Sequence, residues 1–235
     1  MKQVTRLAMV LAALAVAAAA VAMAAEEAAA PVKPFNGKDL TGWVLRGDKA
    51  GSKWAAGTAK LDPADPSKII AEPGGTDLVN VMRGVDIYTE QKFGDCIVKC
   101  EVMTPRGSNS GIYLMGEYEV QVCDSSGKTS GFTSGDQGGI YGTAAPKNPK
   151  YQKPGDWDKF EIHFQAPKFD ADGKKTANAK FIKVLLNGSV IHENVEAPKP
   201  TGSELSAKEV AKGPLMFQGD HGPVALRNIE IAPLK

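Results

Sequence analysis

The chain has 235 residues, with 28 Lys and Arg against 27 Asp and Glu, and a formal charge of +1 at neutral pH. Removal of residues 1–24 takes away Lys2 and Arg6 but no acidic group, leaving 26 basic against 27 acidic residues. A domain this close to neutral has no electrostatic footprint for nucleic acid or an anionic membrane surface, and neither is expected as a partner.

The opening MKQVTRLAMVLAALAVAAAAVAMAAEE has a basic start, an Ala/Leu/Val run and then small residues. This is the form of a secretory signal peptide, with Ala22-Met23-Ala24 as an A-x-A site cut before Ala25. The run from Leu7 to Ala25 is also long enough to span a bilayer. Its Ala-rich core is only weakly hydrophobic, which favours cleavage, export to the periplasm or beyond, and no stable membrane insertion afterwards. Residues 25–34 read as a disordered leader, and residues 35–235 as a single domain long enough for one β-sandwich with a full core.

Strand periodicity dominates that domain. In WDKFEIHF, residues 157–164, Phe160, Ile162 and Phe164 share one face while Lys159, Glu161 and His163 share the other. Similar runs occur at SKWAAGTAKL, DLVNVM, GDCIVKCEVM, SGIYLM, EYEVQVC, AKFIKVLL, SVIHEN, GPLMFQ and VALRNIEI. Asp172-Gly173 marks a turn, and Asn187-Gly188 predicts a two-residue hairpin between KVLL and SVIHE. That turn is a better reading of Asn187-Gly188-Ser189 than the glycosylation sequon it also spells. Only residues 203–212, SELSAKEVAK, look able to form a helix. The pattern predicts an all-β, antiparallel β-sandwich of the jelly-roll kind.

Cys96 and Cys100 lie four residues apart on one predicted strand, about 13 Å between Cα atoms, too far to bridge. All three cysteines, with Cys123, are expected to act as small buried hydrophobes, and no spacing suits zinc. Residues 124–156, rich in Gly, Ser, Lys and Pro, interrupt the strands. A connection this long is either a mobile surface loop or a functional one, and Phe132, Tyr141 and Tyr151 would suit the rim of a sugar site.

Two stretches carry chemistry. In EYEVQVC, Tyr118, Val120 and Val122 point to the core, and Glu117, Glu119, Gln121 and Cys123 point the other way. Glu119 and Gln121 are about 7 Å apart. That face is either a solvated exterior or the floor of a sugar site. In GPLMFQGDHGP, residues 213–223, a strand ends in Gln218, Asp220 and His221 among glycines that let the backbone bend. His163 and His192 sit on polar strand faces and are expected to face solvent.

The blocks NSGIYL, EYEVQVCDS, GGIYGTAAPKNPKYQKPGDWDKFEIHFQAPKFDADGKK and GPLMFQGDHGPVALRNIEI, preceded by FNGKDLTGW at residues 35–43, resemble in order those of the 3-keto-disaccharide hydrolase family, first labelled only DUF1080. Its members are described as 3-keto-glucoside 1,2-lyases and 3-keto-2-hydroxy-glucal hydratases. The resemblance implies a concanavalin-like jelly roll and a 3-keto-glycoside substrate. One departure is Met115, where many relatives carry an arginine.

The implied chemistry is elimination followed by hydration. A C3 ketone acidifies the C2 hydrogen, and the glycosidic oxygen on C1 then leaves. The enzyme needs a base for C2, donors or a cation for the enolate oxygen, and an acid for the leaving alcohol. On this scheme His221 is the leading acid/base and Glu119 the second. Gln121, Tyr141, Gln218 and Arg227 would bind sugar, the arginine being equally suited to a structural pair with a carboxylate. Asp124 and Asp220 would orient the histidine or hold a divalent cation. No cofactor is required, because a separate sugar oxidoreductase acting upstream would introduce the ketone. A non-catalytic carbohydrate-binding module on the same sandwich is the alternative. Secreted material should begin at Ala25 on N-terminal sequencing; an intact Met1 in a membrane fraction would rule out cleavage.

Overall fold

The computed structural model describes residues 30–234. The expected signal peptide, its cleavage site and residues 25–29 of the leader lie outside them. Among the described residues no helix is long and apolar enough to cross a membrane. Pairing begins at Val32, whose N–H and carbonyl each bond Ile231 at 2.8 Å, so the end of the expected leader is part of the fold.

In chain order the strands are β1 (Trp43–Leu45), β2 (Trp54–Asp62), β3 (Asp65–Asn80), β4 (Ile87–Phe93), β5 (Cys96–Met103), β6 (Asn109–Leu114) and β7 (Tyr118–Cys123). After the long connection come β8 (Trp157–Gln165), β9 (Lys168–Phe169), β10 (Lys175–Ala177), β11 (Ala179–Leu186), β12 (Ser189–Ala197), β13 (Gly213–Phe217) and β14 (Val224–Pro233). A five-stranded sheet runs β1-β4-β13-β6-β7, a seven-stranded sheet runs β12-β11-β8-β5-β14-β3-β2, and β9 pairs with β10. All pairings are antiparallel, giving the concanavalin-like jelly roll.

The core lies between the two large sheets. Ile112, Tyr118, Val120 and Phe217 from one meet Val98, Ile162, Phe164 and Phe181 from the other. Tyr118 packs on Phe164 at 5.4 Å between ring centres, and Phe164 on Phe181 at 5.2 Å. Each such side chain contributes about 1.5–3 kcal/mol through removal from water. Cys96 and Cys100 point into this core, where burial pushes both thiols up to about 12. Cys123, at a strand end and half-buried, sits 3.4 Å from the Ser125 hydroxyl.

The β11–β12 turn is the expected hairpin, with Asn187 and Gly188 at φ 51° and 78°. The helix expected over residues 203–212 does not form: the segment is an irregular strap with Ser203 and Ala207 at positive φ. Tertiary partners take its polar groups. Leu205 N–H bonds Gly116 O, Ser206 bonds the Glu117 carboxylate through N–H and hydroxyl, and Glu209 accepts from Tyr118 and Lys175. A ten-residue helix is too short to outweigh these. His192, expected to face solvent, is only 2 % exposed and bonds the Gly138 carbonyl through Nε2 at 2.8 Å. The carbonyl can only accept, so Nε2 carries hydrogen, and burial lowers the imidazole's affinity for a second proton.

Residues 124–156 are pinned rather than loose. The buried Asp158 carboxylate accepts from Gln137 Nε2 at 2.9 Å, Gln152 N–H at 2.8 Å and Asn187 Nδ2 at 2.6 Å. Tyr151 donates its hydroxyl proton to the carbonyls of the same connection, at Ser125 and Lys128. Asp158→Ala leaves the buried Gln137 amide without its acceptor and removes two part-buried bonds, a loss of about 1–3 kcal/mol. It should lower the urea midpoint and open residues 124–156 to limited proteolysis; an unchanged cleavage pattern would show that the connection is held elsewhere.

Candidate active site

β6 and β7 pair Tyr113 with Glu119, Gly111 with Gln121 and Ile112 with Val120. The even register puts Ile112 and Val120 in the core and the other two pairs on the sheet's far face. Met216 pairs with Tyr113 and therefore shares that face, with Gln218 two residues further on. This face is not a solvated exterior: Tyr113 and Met216 are fully buried, and Gln121 and Gln218 nearly so.

Glu119, itself 3 % exposed, interacts with the Tyr113 hydroxyl and leans over Gly111. A Cβ at position 111 would lie 2.3 Å from Glu119 Oε1, so glycine makes the room. Burial, reinforced by the negative charges of Asp86 and Asp220 and opposed by the Tyr113 hydrogen bond, pushes the Glu119 carboxyl up to about 8. At neutral pH it is mostly a neutral acid able to donate a proton. Burial and the neighbouring carboxylates also raise Tyr113 well above the ordinary phenol range. Gln218 Nε2 lies 3.4 Å from the Tyr113 hydroxyl.

The outer edge of β7 is closed by two segments. Thr201 Oγ1 accepts from Glu119 N–H at 2.9 Å, and residues 138–141 bond Gln121 and the Glu119 carbonyl. Tyr141 is thereby brought beside Glu119, with its ring against Gly202 and 42 % of its surface exposed. Gln121 stays on the face with Glu119, its amide donating to Asn109 Oδ1 at 2.6 Å.

After β13 the chain turns sharply. Asp220 and His221 form a pair, His221 Nδ1 to Asp220 Oδ1 at 2.5 Å, with both side chains about half exposed. A carboxylate here holds hydrogen on Nδ1 and leaves Nε2 free to accept. Gly219 and Gly222 are needed for close approach rather than for positive φ. A Cβ on the first would meet Val85 O at 2.2 Å, and one on the second Ser108 Oγ at 2.4 Å.

Two expected members lie elsewhere. Arg227 is on the outer face of the seven-stranded sheet, bound to Glu101 at 2.7 and 2.8 Å and stacked 4.1 Å from the Trp157 ring centre. It anchors that sheet because β14 pairs it with Glu101, the structural alternative open to a strand arginine. Asp124 accepts from Gly107 and Ser126 N–H, and these bonds hold its carboxyl low although burial acts to raise it. The partner of His221 is Asp220. Met115 is in the core cluster at the β6–β7 turn, with φ 58°. Among the described residues no group of three or more His, Cys, Asp or Glu is arranged to hold a metal ion.

Tyr113 and Asp86 were not singled out from the sequence. Tyr113 was legible, since alternation places it with Gly111 opposite Ile112. Asp86 was not, because it lies just before β4, in a segment with no strand signal of its own. Asp86 is 4 % exposed, and its carboxyl is raised by burial and by the nearby Asp220, against hydrogen bonds from Gly219 and Arg46.

The jelly roll thus carries a buried acid–phenol pair and an exposed His–Asp pair, groups that can give and take protons. The chain belongs to the 3-keto-alpha-glucoside-1,2-lyase-like domain family, whose model matches residues 30–232. It is similar to a structure from Parabacteroides distasonis described as a "putative glycosyl hydrolase", at 27 % identity and a TM-score of 0.63, covering 87 % of this chain and 84 % of that one. A second structure from the same organism with the same description shares the fold at 18 % identity and a TM-score of 0.60, covering 89 % and 96 %. No curated protein matches the chain significantly in sequence.

The raised Glu119 acid has a thermodynamic signature. An unfolded glutamate releases its proton near 4.5 and the folded one near 8, so the folded state holds the extra proton between these values. This contribution is fully present below about pH 4.5, declines as pH rises, and is lost above about pH 8, amounting to a few kcal/mol on the order of 1.36 per unit. Glu119→Gln should therefore flatten the fall in urea stability between pH 5 and 8.5. Parallel wild-type and mutant profiles would mean that Glu119 is ionised.

Proposed function

We propose that this chain cleaves the glycosidic bond of 3-keto-glycosides by elimination and hydration, a net hydrolysis. The observation that carries this reading is the pairing of an exposed His221–Asp220 couple with the buried Tyr113 and Glu119. His221 Nε2 takes the C2 proton, and the electron pair forms the enolate of the C3 ketone. Tyr113 and neutral Glu119 are donors suited to the enolate oxygen, since both keep their protons at neutral pH. The C1–O bond breaks as the C1–C2 double bond forms, and the leaving oxygen takes a proton from the protonated His221 or from Glu119. Water then adds hydroxyl at C1 and hydrogen at C2, with no net redox change. Gln218 and Tyr141 flank these groups and would bind sugar hydroxyls. The chain would work outside the cytoplasm, after a sugar oxidoreductase has introduced the ketone.

One observation favours a second reading, a carbohydrate-binding module without catalysis. Glu119 and Gln121 are each only 3 % exposed, so a sugar meets chiefly Tyr141, Asp220 and His221.

With an aryl 3-keto-glucoside, His221→Ala should reduce aglycone release about 10²-fold or more. His163→Ala, whose imidazole bonds Glu161 on the seven-stranded sheet, should be silent. In deuterium oxide the product should carry deuterium at C2, which direct displacement at C1 would not introduce. Full turnover by His221→Ala would overturn the assignment, and sugar binding by a wild type without turnover would favour the second reading.

A further inference from the structure

We propose that Asp86, working with Asn80 and Arg46, is the positioning residue that holds the Asp220–His221 pair in place and ties it to the strap, counted from the end of β12 as residues 198–212. The consequence for turnover rests on the reading above; the positioning itself does not.

The loop after β13 is held through backbone groups on either side of His221. Asp86 Oδ1 accepts from the consecutive N–H groups of Gly219 and Asp220, at 2.9 and 3.3 Å. Asn80, fully buried at the end of β3, donates both amide hydrogens, to Gly219 O at 3.0 Å and Gly222 O at 2.9 Å. Gly84 N–H adds a bond to Gly219 O, and Arg83 Nε one to Asp220 O. Ser110 and Ser108 donate to the carbonyls of Gln218 and Pro223. The backbone of the residue bearing His221's partner is thus gripped at both its N–H and its carbonyl, while the two functional side chains stay free at the surface.

Asp86 also faces the other way. Its Oδ2 binds Arg46 at 3.1 Å, and Arg46 reaches the carbonyls of Ser203 and Glu204 in the strap, at 3.0 and 2.9 Å. The strap in turn bonds the backbone of Glu119 through Thr201. One carboxylate therefore connects the rim pair with the segment that seats Glu119. A buried carboxylate is costly to keep near Asp220 and Glu119, and a purely structural cap could use a neutral acceptor. The charge is explained if the Arg46 link matters.

The test combines amide hydrogen exchange with steady-state kinetics. Asp86→Ala should raise exchange at the Gly219 and Asp220 amides at least 10-fold while exchange in β5 and β8 stays at the wild-type level. On an aryl 3-keto-glucoside it should lower kcat about 10²-fold with KM little changed, as displaced groups do. Asp86→Asn keeps the Oδ1 acceptor and should restore most of the protection at Gly219 and Asp220, but without the charge that meets Arg46 it should raise exchange at residues 201–206 as Arg46→Met does. Arg46→Met should protect the loop normally but raise exchange at residues 201–206. Asn80→Ala removes the carbonyl clamps and stands in should Asp86→Ala not fold. Wild-type exchange at the Gly219 and Asp220 amides in both Asp86→Ala and Asn80→Ala overturns the proposal, whatever happens to the rate. If the wild type shows no turnover, the functional reading fails and exchange alone decides the positioning.

Discussion

The pairing of β6 with β7 is the constraint on which the rest depends. Tyr113 stands opposite Glu119, and Ile112 opposite Val120, so one hairpin supplies both the inter-sheet core and the polar floor. A slip of one residue would drive Glu119 and Gln121 between the sheets and expel Val120 and Val122. A carboxylate there would meet Val98, Ile162 and Phe164, so the hydrophobic demand of the core and the polar partners on the far face enforce the same register. The turn that closes the hairpin is itself packed, with Met115 in the core and Gly116 against Leu205 of the strap.

On that floor the dominant physics is the crowding of acids. Asp86 and Glu119 are both buried, and each is raised further by the negative charge of Asp220. Ionising all three together would place like charges in a poorly solvated region. Arg46 meets one of these charges, at Asp86, and Glu119 relieves the remainder by keeping its proton. A carboxylic acid held neutral near pH 7 beside a phenol is a pair of donors, whereas the rim histidine, with Nδ1 engaged by Asp220, is an acceptor at Nε2.

Most strands were legible from alternation between a core face and another face, but β1, β4, β9 and β10 were not among the runs read from the sequence. AKFIKVLL is β11 residue for residue, and the Asn187-Gly188 turn follows because both positions need positive φ. Local reasoning failed where a distant segment supplied the partner. Residues 203–212 have helical propensity, yet Glu117, Gly116 and Tyr118 take their polar groups. His192 lies on a face that reads as polar, but the connection at Gly138 covers it. Arg227 lies in the same block as His221, but β14 belongs to the other sheet, where Glu101 is its cross-strand neighbour.

Alternation, turn chemistry and the ordered blocks of similarity are properties of neighbours along the chain. The sequence alone therefore determined an antiparallel jelly roll, its family, and the inward and outward faces of β7 and β8. The polar pairs Glu119 with Gln121 and Asp220 with His221 were visible for the same reason. Only the tertiary structure decided that the outward face of β7 is buried, that Tyr113 shares it with Glu119, and that Asp86 reaches the loop after β13. Those outcomes depend on which distant backbone groups and charges approach a side chain, and hence on desolvation and field. Neither is a property of a residue and its neighbours in sequence.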